Sequence, residues 1–209
     1  TVALLSRRAV QEDCLRLYTG RLVPGDIIPA KVTHMEQFGC FADIGCGLIS
    51  LLPIDLISVS RISHPSDRFR VGQNIFAVVR SVENGRITLS HKELLGSWEE
   101  NAAGFCCGET VAGIVRSVES YGVFVELTPN LAGLAELREG VAAGQHASVY
   151  IKSIIPEKMK LKLIIVDCFE ARYQPSAPDY RQTSGHLSRW RYSPAGCKKL
   201  LETVFDKNE

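Results

Sequence analysis

Phe38 and Phe41 bracket Gly39, and 83 positions later Tyr121 and Phe124 bracket Gly122 in the same way. Each second aromatic opens a short apolar run. Cys40, Ala42 and Ile44 in one copy, and Val123, Val125 and Leu127 in the other, alternate with period two, as a strand with one buried face does. Phe41 and Phe124 fall in the opposite phase, which points them away from the core. One exposed Phe is ordinary, because folded surfaces are more than half apolar. The same exposure twice, beside the same glycine, indicates a platform on which flat ligands stack, and nucleobases are the obvious class. Lys31 shares the outward phase beside Val32 and suits a phosphate contact, although a solvated lysine fits equally well. Glu83 and Arg86 flank Asn84-Gly85 and read as a cross-turn ion pair worth at most about 1 kcal/mol.

These residues need strands to hold them, and the punctuation supplies five in the first unit, near residues 26–34, 39–45, 47–52, 74–82 and 86–91. Asn84-Gly85 is a two-residue hairpin signal. Gly39 and Gly122 inside strand patterns mark a bulge or the sharp bend of a small barrel. Residues 93–103 lack β-branched side chains and space Leu94, Leu95 and Trp98 helically, which predicts a linker helix anchored by Trp98.

The pattern is a repeat. Gly25-Asp26 through Ile44 aligns without gaps on Gly108-Glu109 through Leu127, and Gly47-Leu48 matches Gly133-Leu134 after a three-residue insertion. Val71-Gly72-Gln73 answers Ala143-Gly144-Gln145, and the N-terminal run from Ala3 to Arg8 echoes Ile87 to Lys92. Periods of this kind set the domain count. The expected fold is all-β, with two tandem five-stranded antiparallel barrels joined by a short linker helix and followed by a mixed C-terminal tail. The boundaries read 1–20 for a remnant strand and linker, 21–92 for the first barrel, 93–106 for the linker helix, 107–167 for the second barrel, and 168–209 for an extension with a short helix.

Composition limits the function classes. Across 209 residues, 24 basic and 23 acidic groups give a net charge of +1, which is not the basicity of a duplex-DNA protein. Polyanion binding then rests on local clusters and stacking. Seven cysteines, odd in number and without a Cys-x-x-Cys pair, argue against a structural zinc. His34, His64, His91, His146 and His186 are scattered and read as neither metal ligands nor catalysts. No phosphate-cradling glycine loop, His-Glu-x-x-His or Gly-x-Ser-x-Gly elbow is present, so no enzyme, no cofactor, no metal and no small-molecule substrate is expected. Reduced thiols and the lack of a long apolar stretch indicate the cytoplasm and no membrane partner.

Taken together and in order, these motifs resemble the S-one RNA-binding domain, an OB-fold module, and in particular its tandem repeats in the bacterial small-subunit ribosomal protein for which it is named. The Gly25-Asp26 opening, Phe38-Gly39-x-Phe41, Ser63-His64-Pro65-Ser66 before Val71-Gly72-Gln73, Leu89-Ser90-His91-Lys92, and a linker with Ser97-Trp98-Glu99-Glu100 carry the resemblance, which covers residues 1–167. The resemblance implies a binding face of two aromatics, a histidine on the third strand, and an acid and an arginine around the last hairpin. Phe38 and Phe41 fit the aromatics, Ser50 stands in for the histidine, and Glu83 and Arg86 fit the acid and base, so the first unit keeps four of five features. In the second unit Tyr121 and Phe124 fit, Glu136 replaces the histidine, Pro156 the acid, and Lys160 the arginine, which implies weaker binding or a different partner.

The resemblance thus implies a non-enzymatic binder of single-stranded RNA, mostly mRNA, acting in translation at the small ribosomal subunit, with small-subunit proteins as further partners. The alternative is a protein-interaction module docking to a ribosomal or RNA-degradation complex. In the tail, Arg189-Trp190-Arg191-Tyr192 suits either stacking on single-stranded RNA or, as the preferred reading, a segment that folds back so that Trp190 covers a barrel surface. Ser193-Pro194 predicts the start of a closing helix with Leu200, Leu201, Val204 and Phe205 as its apolar face.

Overall fold

A computed structural model describes residues 6–171 and 176–206; the start of the N-terminal echo at Ala3 and part of the stretch 174–178 lie outside them. The first barrel comprises β1 (Ile27–Glu36), β2 (Gly39–Asp43), β3 (Ile49–Pro53), β4 (Asn74–Glu83) and β5 (Arg86–Ser90). The second comprises β6 (Thr110–Glu119), β7 (Gly122–Thr128), β8 (Leu131–Ala135), β9 (His146–Ile155) and β10 (Lys160–Phe169). Both close in the same order, β1-β2-β3-β5-β4 and β6-β7-β8-β10-β9. Neighbours are antiparallel except at the closure, where β3 runs parallel to β5 and β8 parallel to β10. Closure removes the free edges that a five-stranded sheet would otherwise expose.

The period-two pattern decides what each barrel encloses. Val32, Cys40, Ala42, Leu52, Ala77, Val79 and Leu89 are sealed inside the first, and Val115, Val123, Val125, Val149, Ile151 and Leu161 inside the second. Burial pushes the Cys40 thiol up to about 12, so this cysteine behaves as a small hydrophobe. Gly39 and Gly122 are where β2 and β7 approach the next strand too closely for a side chain: a Cβ would lie 2.5 Å from the Leu52 carbonyl oxygen and 2.6 Å from that of Ala135. At the hairpin, Asn84 and Gly85 both take positive φ, 50° and 72°, as a type I′ turn requires. The Gly-Gln repeat performs one task twice. Gly72 N–H donates to the Val32 carbonyl and Val32 N–H to that of Gln73, while Gly144, Val115 and Gln145 form the same pair of bonds.

An α-helix, α1 (Arg7–Arg21), precedes the first barrel, its N-terminus capped by the Ser6 hydroxyl. Between the barrels the expected continuous helix is divided. Residues Lys92–Leu95 form a 3-10 turn, Gly96 takes φ 85°, and α2 spans only Trp98–Ala102 behind a Ser97/Glu100 capping box. Trp98 is buried in the second core, as an anchor should be.

The tail corrects one expectation and bears out another. No helix starts at Ser193-Pro194; instead β11 (Arg189–Arg191) pairs antiparallel with β12 (Glu202–Val204). As the preferred reading had it, Trp190 folds back onto a barrel: it and Tyr192 are buried against the second core, and the Tyr192 hydroxyl donates to the Asn130 carbonyl at 2.5 Å. Other parts of the tail strap the first barrel. Ile27 N–H donates to Gly185 O, and Phe205 packs with Ile27, Val78 and Leu94.

The barrels are joined by polar contacts as well as by chain. Arg68, after the 3-10 turn Pro65–Asp67, meets Glu126 of β7 at 2.5 Å with both side chains buried. Arg116 of β6 forks onto the same carboxylate at 2.8 and 3.1 Å and reaches Asp67 at 3.4 Å. Asn130, fully buried, accepts from Val59 N–H and donates to the carbonyls of Lys92 and Gly96, tying barrel, linker and barrel together.

Candidate nucleic-acid interface

Across the outer wall of the first barrel the strand register lays down one row of side chains: His34 opposite Phe41, Phe41 opposite Leu51, Leu51 opposite Thr88, and Thr88 opposite Ser81. Phe41 is half-buried and outside the core, while Phe38 is 57% exposed. Their rings meet edge to face at 6.1 Å and 87°. The His34 ring lies nearly parallel to Phe41, with centroids 6.2 Å apart and planes inclined by 24°. Three rings therefore form one partly exposed, largely apolar step.

Lys31 is exposed opposite Asp43, which itself faces Ile49. Because β3 and β5 run parallel, Arg86 lies from Thr88 in the same direction that Ile49 lies from Leu51. Both cations thus border the same side of the aromatic row. Glu83 and Arg86 are partners across the Asn84-Gly85 turn without forming an ion pair with each other, and both are exposed.

Ser50 must be removed from this face. It sits opposite Ala42, on the inward phase, and is 3% exposed; the residue beside Phe41 on β3 is Leu51. The reason is register: a one-residue step in a strand exchanges the two faces.

The second barrel repeats the row with different chemistry. Ser117 faces Phe124, Phe124 faces Leu134, Leu134 faces Lys162, and Lys162 faces Ser153. Tyr121 is 67% exposed and meets Phe124 edge to face at 6.1 Å and 86°, nearly the geometry of the first pair. Leu51 and Leu134 are 83 positions apart, like Phe41 and Phe124, so β7 and β8 carry no three-residue insertion relative to β2 and β3. Glu136 consequently lies beyond the end of β8 and not at the Ser50 position, where Gly133 stands. Pro156 opens a 3-10 turn, and the partner of Lys160 is Ile155. Neither expected departure reaches the row. What does differ is Ser117 for His34, which costs a ring, and Lys162 for Thr88, which adds an exposed charge next to Lys160.

Sequence reasoning missed His34 and Lys162. Thr33 is the extra residue of a bulge between Val32 and His34, with its hydroxyl donating to the Phe41 carbonyl. That bulge turns His34 outward although it stands two residues from the inward Val32. Lys162 was legible from the alternation of Lys160, Lys162 and Ile164 outside with Leu161, Leu163 and Ile165 inside.

The family model of the S1 RNA binding domain matches residues 22–92. The match takes in the whole first barrel. Over longer stretches the chain is similar to small ribosomal subunit protein bS1: 29% identical over 204 residues to that of Leuconostoc lactis, covering 89% of this chain and 47% of the relative. To bS1 of Chlamydia muridarum it is 29% identical over 166 residues, covering 78% and 29%, and to that of Staphylococcus aureus strain COL 29% over 180 residues, covering 78% and 46%. The chain thus spans between 29% and 47% of the length of these curated relatives. Within the matched stretch, the row from His34 to Ser81 lies on the outer wall formed by β1 to β5. Among the described residues no cluster of His, Cys, Asp and Glu could hold a metal, and no helix is long and apolar enough to cross a membrane.

Proposed function

We propose that this chain binds single-stranded RNA, mRNA in particular, and acts without catalysis in cytoplasmic translation at the small ribosomal subunit. The observation that carries the reading is the ring step of Phe38, Phe41 and His34, exposed on the wall of an S1 domain. Bases lie against the rings while Lys31 and Arg86 take phosphates on one side. Each stacked base contributes about 1–3 kcal/mol with little regard for sequence. Tyr121, Phe124, Lys160 and Lys162 give the second barrel a matching surface, so that tandem engagement raises affinity beyond either face alone. The similarity to bS1 proteins supports placing this activity at the small subunit.

Fluorescence anisotropy with a labelled pyrimidine-rich RNA, repeated over a range of salt, tests the reading. Log affinity should fall linearly with log salt, by about 0.7 for each phosphate neutralised. A salt-independent or undetectable interaction overturns it and favours a protein partner.

A further inference from the structure

Helix α1 rests against the loop that joins β2 to β3. Gln11 Nε2 donates to the Gly47 carbonyl at 3.3 Å. A Cβ at Gly47 would come within 2.7 Å of Gln11 Nε2, and one at Gly45 within 2.6 Å of the Tyr18 hydroxyl, so loop and helix are as close as glycine permits. Gln11, Cys14 and Tyr18 follow at three- and four-residue steps and share one helix face. Cys46 lies between the two glycines, with a left-handed backbone at φ 56° that non-glycine residues seldom adopt. The contacts on either side therefore place the two cysteines side by side, and Cys46 is the leading influence that raises the Cys14 pKa. Both are free thiols, Cys14 half-buried and Cys46 exposed.

We propose that Cys14 and Cys46 form a redox-reversible disulfide that staples α1 to the first barrel. The oxidant is a low-molecular-weight disulfide of the glutathione class. The Cys46 thiolate, the accessible one, attacks a sulfur of the oxidant; that S–S bond breaks, a thiolate leaves, and Cys46 carries the mixed disulfide. The Cys14 thiolate then attacks Cys46 Sγ and expels the second thiolate. Two protein thiols are oxidised, one small disulfide is reduced to two thiols, and the two protons end on the leaving groups. The neighbouring Cys46 thiol raises the Cys14 pKa, which suits Cys14 to the second, resolving step. The staple fixes the loop in which Asp43 accepts from Gly45 N–H at 2.8 Å, at the end of the strand that carries Phe41. This site is independent of whether RNA binds.

Its test uses the 209-residue chain, incubated with oxidised glutathione, alkylated, and digested without reductant by a protease that cuts at Asp43, separating Cys40 from Cys46. Mass mapping should find the Cys14 peptide joined to the Cys46 peptide, two hydrogen atoms lighter than their sum and separated by reductant. The exposed Cys106 and Cys107 are the rival partners, so the link should survive in a C106S/C107S variant. C14S should leave Cys46 carrying glutathione. Cys14 recovered fully alkylated from the oxidised wild type, or Cys46 joined to another cysteine, overturns the proposal.

Discussion

His34 lies over Phe41 with ring planes only 24° apart, and the residue that puts it there is the bulged Thr33. The stacking face of the first barrel is thus a group of three rings, of which the sequence motif contains two. His34→Ala removes one wall of the step without touching the core. Affinity for a short pyrimidine-rich RNA should fall by about three- to tenfold in anisotropy titrations, at the lower end of the range for one stacked base, with the thermal unfolding midpoint unchanged.

Lys162 occupies in the second barrel the place that Thr88 takes in the first. Lys162→Ala should lower the slope of log affinity against log salt by about 0.7, one phosphate contact, and leave the base preference as it was. The same change should matter only for RNAs long enough to reach both barrels.

Glu126 is shared by two arginines in the buried contact between barrels. Replacing it with Ala strands the Arg68 guanidinium, whose pKa burial already lowers against the pull of Glu126. Loss of one partner from a buried pair costs about 3–5 kcal/mol. Urea unfolding of Glu126→Ala should show that loss, and the transition should broaden as the barrels cease to unfold together.

Two histidines make stability depend on pH in opposite senses. His91 is fully buried between the Ile57 carbonyl and the Tyr180 hydroxyl, and burial pulls its pKa from 6.5 down to about 4. Its folded pKa is depressed, so its contribution is whole above pH 6.5 and is lost as pH falls toward 4. His186 sits between Asp26 at 2.9 Å and Asp206 at 3.1 Å, and the hydrogen bond to Asp26 leads in raising its pKa. Its contribution is whole below pH 6.5 and is lost as pH climbs through the raised value. Urea midpoints of wild type and His186→Ala, measured from pH 5 to 8, should therefore converge as the pH rises.

The parts of this molecule that local pattern governs were legible. Alternation placed Cys40 and Val123 inside, and Phe41 and Phe124 outside their cores; the paired glycines and Gly-Gln turns fixed both barrels. What was not legible depends on register or on distant contacts. A bulge at Thr33 reversed the facing of His34, and the Gly45-Cys46-Gly47 turn hid that Ser50 pairs with Ala42. Chain pattern gave Leu200 to Phe205 a helical face, yet pairing with Arg189–Arg191 made residues 202–204 a strand. The fold-back of Trp190 onto a barrel was the preferred reading, and the second core encloses it together with Tyr192.

The most direct measurement compares wild type with Phe41→Ala in anisotropy titrations against one labelled pyrimidine-rich RNA, with circular dichroism to confirm that both are folded. A loss of at least about tenfold is expected, one well-stacked base, and Tyr121→Ala should lose less. Equal affinity in wild type and Phe41→Ala would contradict the assignment of this face.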